Sequence, residues 1–136
     1  MAIEKIPDSH KVLFEKPILA SLATVLPSGM IQVNPVWCDY DGTYVRFCLA
    51  QSRQKTKNIS RTGLATVLLV DPENPRFWIE VRGWVVETTH EGIADYVDSL
   101  TKKYMGLDKW PYPDDGEVRL IYKLQPERVN PFSPPG

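Results

Sequence analysis

The chain has 136 residues, one domain by the usual scale of ~100–200 residues and long enough to bury a single sizeable core. Hydrophobic residues make up 43% and charged residues 24%, which excludes a disordered or low-complexity polypeptide. Sixteen Lys plus Arg against seventeen Asp plus Glu leave a formal charge of −1, so no global field recruits nucleic acid or an acidic membrane, and any anion site must be local.

At the N-terminus, Met1-Ala2-Ile3-Glu4-Lys5-Ile6-Pro7-Asp8 lacks a charged stretch followed by an apolar one, and no window of about eighteen apolar residues occurs anywhere. A cytoplasmic protein without membrane insertion is expected. Residues 18–26 are apolar and lie between Pro17 and Pro27-Ser28-Gly29, so they read as a buried strand, with residues 30–40 returning as its hairpin partner. Asp41-Gly42 predicts a type I′ turn into a third strand over 44–50. That turn sets Val36 against Phe47, Cys38 against Val45 and Pro35 against Cys48. The two cysteines then point to opposite faces and stay reduced, as the lack of a C-x-x-C spacing also suggests. The apolar phase changes around Asn34-Pro35, from odd positions at Ile31 and Val33 to even positions at Val36 and Cys38. Either a bulge or edge that frees backbone groups for a ligand, or a strand buried on both faces, accounts for it.

Ser52 is expected to cap a helix running to about Thr62 and stopped by Gly63. Residues 64–70 form another apolar strand, 71–75 a loop, and 77–87 a long strand with Trp78 and Trp84. Thr88-Thr89-His90-Glu91 has capping-box spacing, followed by a helical stripe of Ile93, Val97, Leu100 and Tyr104. A last strand covers 117–124. Pro126, Pro131, Pro134 and Pro135 then predict an extended tail. Six strands with short helices between them exclude a doubly wound fold. They predict a mainly β (α+β), six-stranded antiparallel barrel in a single domain, residues 1–136.

His10, His90, Cys38 and Cys48 show no metal-ligand spacing, and the acids are scattered, so no metal is expected. There is no G-x-S-x-G, Walker A loop or G-x-G-x-x-G, so covalent catalysis and the usual ATP and NAD cradles are excluded. What remains is Ser52-Arg53-Gln54-Lys55-Thr56-Lys57-Asn58-Ile59-Ser60-Arg61, a basic run placed after a strand and at a helix start. Backbone N–H groups and an Arg fork can converge there on one phosphate. A solvated basic helix face accounts for Lys57 and Arg61 as well. Trp37, Trp78, Trp84 and Trp110 read as core aromatics or, beside such a site, as faces for a planar heterocycle.

Leu22-Ala23-Thr24-Val25, Gly29, Gln32-Val33-Asn34-Pro35-Val36-Trp37, Asp41-Gly42 and Arg53-Gln54-Lys55-Thr56-Lys57-Asn58 together resemble the split β-barrel flavin/deazaflavin oxidoreductases, the superfamily of pyridoxamine 5′-phosphate oxidase. Val70-Asp71-Pro72, the run from Phe77 to Gly83 and residues 129–136 extend the resemblance over most of the chain, and it is nearest to the small members that use coenzyme F-420. The resemblance implies a split barrel that forms a homodimer with cofactor clefts between subunits. It places Arg53 and Lys55 at the cofactor phosphate with Ser52, Thr56 and Asn58 nearby. Gln32, Asn34, Pro35 and Val36 border the ring, Cys48, Leu49 and Ala50 lie under the ribityl chain, and Trp78 is counted among the cofactor contacts. Two positions depart from the pattern: Leu49 stands where Thr is common, and Ser52 where many deazaflavin relatives have Gly. The second is reminiscent of the Ser-Arg-Lys run of FMN oxidases, so FMN is the alternative cofactor.

The expected function is therefore an F-420-dependent oxidoreductase passing hydride to a small electrophilic molecule, with no catalytic acid or base singled out. An FMN-dependent oxidase of the pyridoxamine 5′-phosphate type and a non-catalytic flavin-binding protein are the alternatives.

Overall fold

A computed structural model describes residues 4–135; Met1-Ala2-Ile3 and Gly136, at the ends of stretches read above, lie outside the described residues. A 3-10 turn (Asp8–His10) and a short helix α1 (Val12–Glu15) lead into β1 (Ala20–Val25), β2 (Ile31–Val36), β3 (Cys38–Tyr40), β4 (Val45–Ala50), α2 (Gln54–Thr62), β5 (Leu64–Asp71), β6 (Asn74–Thr89), α3 (Ile93–Met105) and β7 (Arg119–Phe132). All seven strands form one antiparallel sheet in the order β2-β1-β5-β6-β7-β4-β3. β2 and β3 lie at its two ends in hydrogen-bonding order yet are joined through the single residue Trp37. The sheet must therefore curl until its ends meet, which makes a split barrel.

The alternation of side chains makes one face of this sheet the core: Leu22 on β1, Phe47 on β4, Val67 and Leu69 on β5, Ile79 and Val81 on β6, and Leu124 on β7 are all fully buried in one cluster. Leu13 and Phe14 of α1 pack into the same cluster. A smaller cluster of Tyr96, Leu100 and Ile121, with Ile93, Trp37, Cys48 and Tyr104 against it, seats α3 on the outside of the barrel.

Seven strands replace the six expected because residues 30–40 divide at Trp37. The apolar phase changes there because the chain leaves its partner β1 after Val36 and pairs with β4 from Cys38 onward. The bulge expected at Asn34-Pro35 is absent: β2 pairs with β1 in unbroken register, including Ser21 opposite Pro35, and β2 lies at the sheet edge that was the other expectation.

The following hairpin is shifted by two residues from the expected register, with Cys38 opposite Phe47 and Tyr40 opposite Val45. The turn is centred on Gly42-Thr43 rather than Asp41-Gly42. The Asp41 carboxylate accepts the backbone N–H groups of Thr43 and Tyr44 at 2.8 and 2.7 Å, and Gly42 alone takes a positive φ of 99°, as a type II′ turn requires. A shift of two leaves every side chain on its expected face. Cys38 accordingly sits in the main core and Cys48 faces α3, both as free thiols.

Two expected caps do not form. Ser52 is outside α2, whose N-cap is Arg53 without a side-chain cap, and α3 starts from Gly92 rather than from a box of Thr88 and Glu91. The expected tail is mostly strand, since β7 runs on to Phe132 beside β6. Its prolines are tolerated because β4 covers β7 only up to Leu124, so Pro126 and Pro131 lie beyond the β4 ladder. The register slips between Arg82 and Gly83, where Glu127 is the extra residue. Here a Cβ on Gly83 would lie 2.0 Å from the Gln125 carbonyl oxygen, so the strands cross with no room for a side chain.

Candidate functional site

Between the β2–β3 corner, the end of β4, α3 and the segment 107–118 lies a groove of about 920 Å³. Its floor follows from the change of partners at Trp37. β2 ends at Val36 and β4 at Ala50, so both expose the ends of their strands toward the same space, with Pro35, Val36, Trp37, Cys48, Leu49 and Ala50 lining it. The opposite wall is the face of α3 that carries Ile93, Ala94, Val97 and Asp98.

That wall is fixed from behind. The Arg46 guanidinium is forked on Asp39, at 3.0 and 2.7 Å, and lies 4.7 Å over the Tyr96 ring, while the Tyr96 hydroxyl donates to Asp39 at 3.2 Å. Further along α3, the Tyr104 hydroxyl donates to the Ile18 carbonyl at 2.7 Å and accepts the Cys38 N–H at 3.1 Å. Lys103 donates to the carbonyls of Phe14 and Cys38. These contacts tie α3 to α1, to the segment just before β1, and to β3 and β4, so α3 cannot shift without breaking several of them. Burial pushes the Tyr96 and Tyr104 hydroxyls well above the ordinary phenol range, keeping them neutral hydrogen-bonding groups.

The end of the groove nearest α2 is cationic. Arg53 and Lys55 both line it, and neither side chain has an ion-pair or hydrogen-bond partner among the described residues. Burial, and then the neighbouring Arg53, hold the Lys55 ammonium below the ordinary lysine range. Two adjacent cations left unpaired, one of them half-buried, form a site that an anion would stabilise. Arg119, the third cation there, is already paired with Asp115 at 2.6 Å.

Of the residues expected at the site, the structure gathers Pro35, Val36, Cys48, Leu49, Ala50, Arg53 and Lys55 along this groove. The others lie beside it. Thr56 donates to the Ala50 carbonyl at 2.8 Å, and buried Asn58 donates to Thr24 and Gln32 at 3.1 and 3.2 Å. These bonds dock α2 onto β1 and β2 and so hold Arg53 and Lys55 in place. Asn34 points to the same side of β2 as Gln32, and Ser52 is engaged with Glu117. Trp78, on the outer face of β6, does not line the groove and is stacked on Phe132 at 5.3 Å. Arg61, expected in solvent, reaches back to the Val25 carbonyl and is part of the helix docking.

The α3 wall and the segment from Trp110 to Val118 were not assigned to the site from the sequence. The aromatic signal for them was present: Trp37 is stacked on Tyr104 at 4.9 Å and 1°, and Trp110 meets Trp37 edge-on at 6.0 Å. Among the described residues no group of three or more His, Cys, Asp or Glu side chains is arranged to hold a metal, and no helix is long and apolar enough to cross a membrane.

The pyridoxamine 5′-phosphate oxidase family matches residues 6–132, nearly the whole chain. The chain belongs to this family. A solved F420 reductase is 33% identical, with a TM-score of 0.82 over 92% of this chain and 98% of that one. Two more distant structures share the fold: HupZ of Group A Streptococcus (21% identity, TM-score 0.67, 93% of each chain) and the conserved hypothetical protein Rv2991 of Mycobacterium tuberculosis (20%, 0.70, 96% of this chain and 86% of that one). A comparison with curated proteins gives no match. The groove suits this family of flavin and deazaflavin proteins, offering unpaired cations for a phosphate next to an apolar and aromatic cleft for a planar ring.

Proposed function

We propose that the chain is a homodimeric oxidoreductase that binds the deazaflavin F-420 in this groove and reduces a small electrophilic molecule. The observation that carries this reading is the unpaired Arg53–Lys55 couple, with Lys55 half-buried, on the wall of a groove that continues into an apolar cleft. The 33% identity to an F420 reductase supports F-420 over other ring cofactors. When bound, such a group supplies hydride. The chain's own part is to anchor the phosphate on Arg53 and Lys55, with Ser52 within reach at the same corner. Pro35 and Val36 border the ring with Gln32 and Asn34 behind them, and Cys48, Leu49 and Ala50 line the side chain of the cofactor. Thr56 and Asn58 act through α2. The cleft walls of Ile93, Val97 and Trp37 exclude water from the ring.

FMN is the alternative cofactor, favoured by the hydroxyl of Ser52 directly before Arg53. The two readings separate on turnover. Oxidation of reduced F-420 by a panel of quinones and enones supports the first, oxygen-dependent turnover of an FMN-loaded yellow protein supports the second, and tight binding without any turnover leaves a flavin-binding protein.

A dimer is proposed from the outer face of β1 and β2. There Leu19, just before β1, and Ile31 and Val33 on β2 are 55, 58 and 57% exposed, a row of apolar side chains continued by Leu68 and Val70 on β5. Pro35 belongs to this face and also lines the groove, so the groove opens at the edge of the proposed interface. Trp78 lies on the same face and would reach a groove only from a second subunit. An obligate interface of this kind covers on the order of 2,000 Å² or more. Light scattering that shows a monomer at micromolar concentration, still binding cofactor fully, contradicts the dimer. Cytoplasmic residence is proposed on two cysteines kept reduced on opposite faces of the sheet.

A further inference from the structure

The groove has a second end, chemically opposite to the cationic one. Trp37 is a rigid platform there: Tyr104 is stacked parallel to it at 4.9 Å, and the Tyr104 hydroxyl is tied to Ile18 and Cys38. Trp110 stands edge-on to Trp37, and Tyr112 edge-on to Trp110 at 5.0 Å and 69°, so three rings continue from the cleft toward solvent. Asp98, half-buried on α3, accepts the Trp110 backbone N–H at 3.4 Å, and a Lys102–Asp108 pair at 3.1 Å holds the start of the same segment on α3. Asp98 lines the groove and has no cationic partner among the described residues. The aromatic end therefore carries unpaired negative charge, while the α2 end carries unpaired positive charge.

Resting on the oxidoreductase reading for the α2 end, we propose that Trp37, Trp110 and Asp98 form the substrate end of the groove and select a planar ring that is uncharged or cationic, rejecting anionic rings. Stacking on an indole requires a flat ring and accepts many of them, so Trp37 and Trp110 set shape. The carboxylate of Asp98 sets charge. A cation beside it gains both Coulomb attraction and contact with the indole faces, whereas an anion loses hydration and meets like charge. Trp110 is thus a specificity-determining residue, and Asp98 acts both by its charge and by holding Trp110 in position.

The test is calorimetry on the full chain in phosphate buffer, so that inorganic phosphate fills the Arg53–Lys55 end, with three probes of one ring system: naphthalen-2-ylmethylammonium, 2-naphthamide and naphthalene-2-sulfonate. The expected order is ammonium, then amide, then sulfonate, with about tenfold or more between the first and last. Asp98→Asn, which keeps an acceptor for the Trp110 N–H, brings the ammonium probe to the level of the amide. Trp110→Ala weakens all three by roughly fivefold, and Trp110→Phe restores most of the loss. Sulfonate binding as tight as ammonium, or an order unchanged in Asp98→Asn, overturns the proposal. Failure of F-420 and FMN to bind overturns the cofactor reading instead, and leaves the naphthalene series to be judged by itself.

Discussion

The Ser52 hydroxyl lies 2.9 and 2.8 Å from the two carboxylate oxygens of Glu117, tying the corner before α2 to the segment that leads into β7. One hydroxyl proton is thus shared by a carboxylate at the edge of the cationic end of the groove. An incoming phosphate meets Arg53 and Lys55 but also competes with Glu117 for Ser52. Glu117→Gln is expected to bind FMN about two- to threefold more tightly than wild type, the scale of one exposed like charge removed. Equilibrium dialysis checks it, and weaker binding by the variant would show that Glu117 assists the site.

Arg53→Ala and Lys55→Ala each remove a charge-assisted hydrogen bond to an anion. The expected cost is ~1.5–3 kcal/mol, or roughly ten- to hundredfold in Kd for FMN or F-420. Arg76→Ala, exposed near the start of β6, is the control and should change binding by less than about 0.5 kcal/mol. Arg61 does not serve as a control, because its guanidinium holds α2 to the Val25 carbonyl.

The lowered Lys55 ammonium gives affinity a pH dependence of definite sign. Only the protonated amine attracts phosphate, so affinity should fall as pH rises through its depressed range, before an ordinary lysine would titrate. Lys55→Arg stays charged and should abolish that alkaline fall. A wild-type profile identical to that of the arginine variant would mean that Lys55 does not touch the anion.

Gly83→Ala puts a Cβ 2.0 Å from the Gln125 carbonyl oxygen and 2.9 Å from its carbon, both backbone atoms. The strands must separate at the β6–β7 bulge. The expected loss is at least the ~1–3 kcal/mol of an overpacked core, read from the midpoint of urea unfolding. An unchanged midpoint would contradict the crossing geometry.

Cys38 and Cys48 should both titrate as thiols in denatured, unreduced protein. In the folded protein burial pushes each to about 11, so alkylation at neutral pH should be slow and should accelerate as pH rises toward that value. Cys48 lines the groove, so bound cofactor should protect it, and Cys38, in the main core, should be unaffected. A disulfide in the intact mass would refute the pairing of β3 with β4.

Much of this architecture was legible in the sequence because local rules and burial agree there. The Pro27-Ser28-Gly29 turn, the alternation along β5, the stop at Gly63 and the stripe of α3 each need only neighbouring residues. The misread features depend on distant partners. The apolar phase change around Asn34-Pro35 marks the place but not its cause, the exchange of β1 for β4 at Trp37 that makes the seventh strand and shapes the floor of the groove. Asp41 captures two backbone N–H groups and recentres a turn that its dipeptide alone would place one residue earlier. Ser52 has the chemistry of a cap but finds Glu117, sixty-five residues away. At the site, Arg53 and Lys55 were visible as charge at a helix start. The opposite wall was not, because Trp110 and Asp98 meet only once α3 is docked on the barrel.

The most direct test of the central claim is equilibrium titration of the purified protein with F-420 and with FMN, followed by absorption and by intrinsic fluorescence. Saturable binding of F-420 at one site per chain is expected, tighter than FMN and weakened by Lys55→Ala. Binding of neither compound, or binding indifferent to both Arg53 and Lys55, would contradict it.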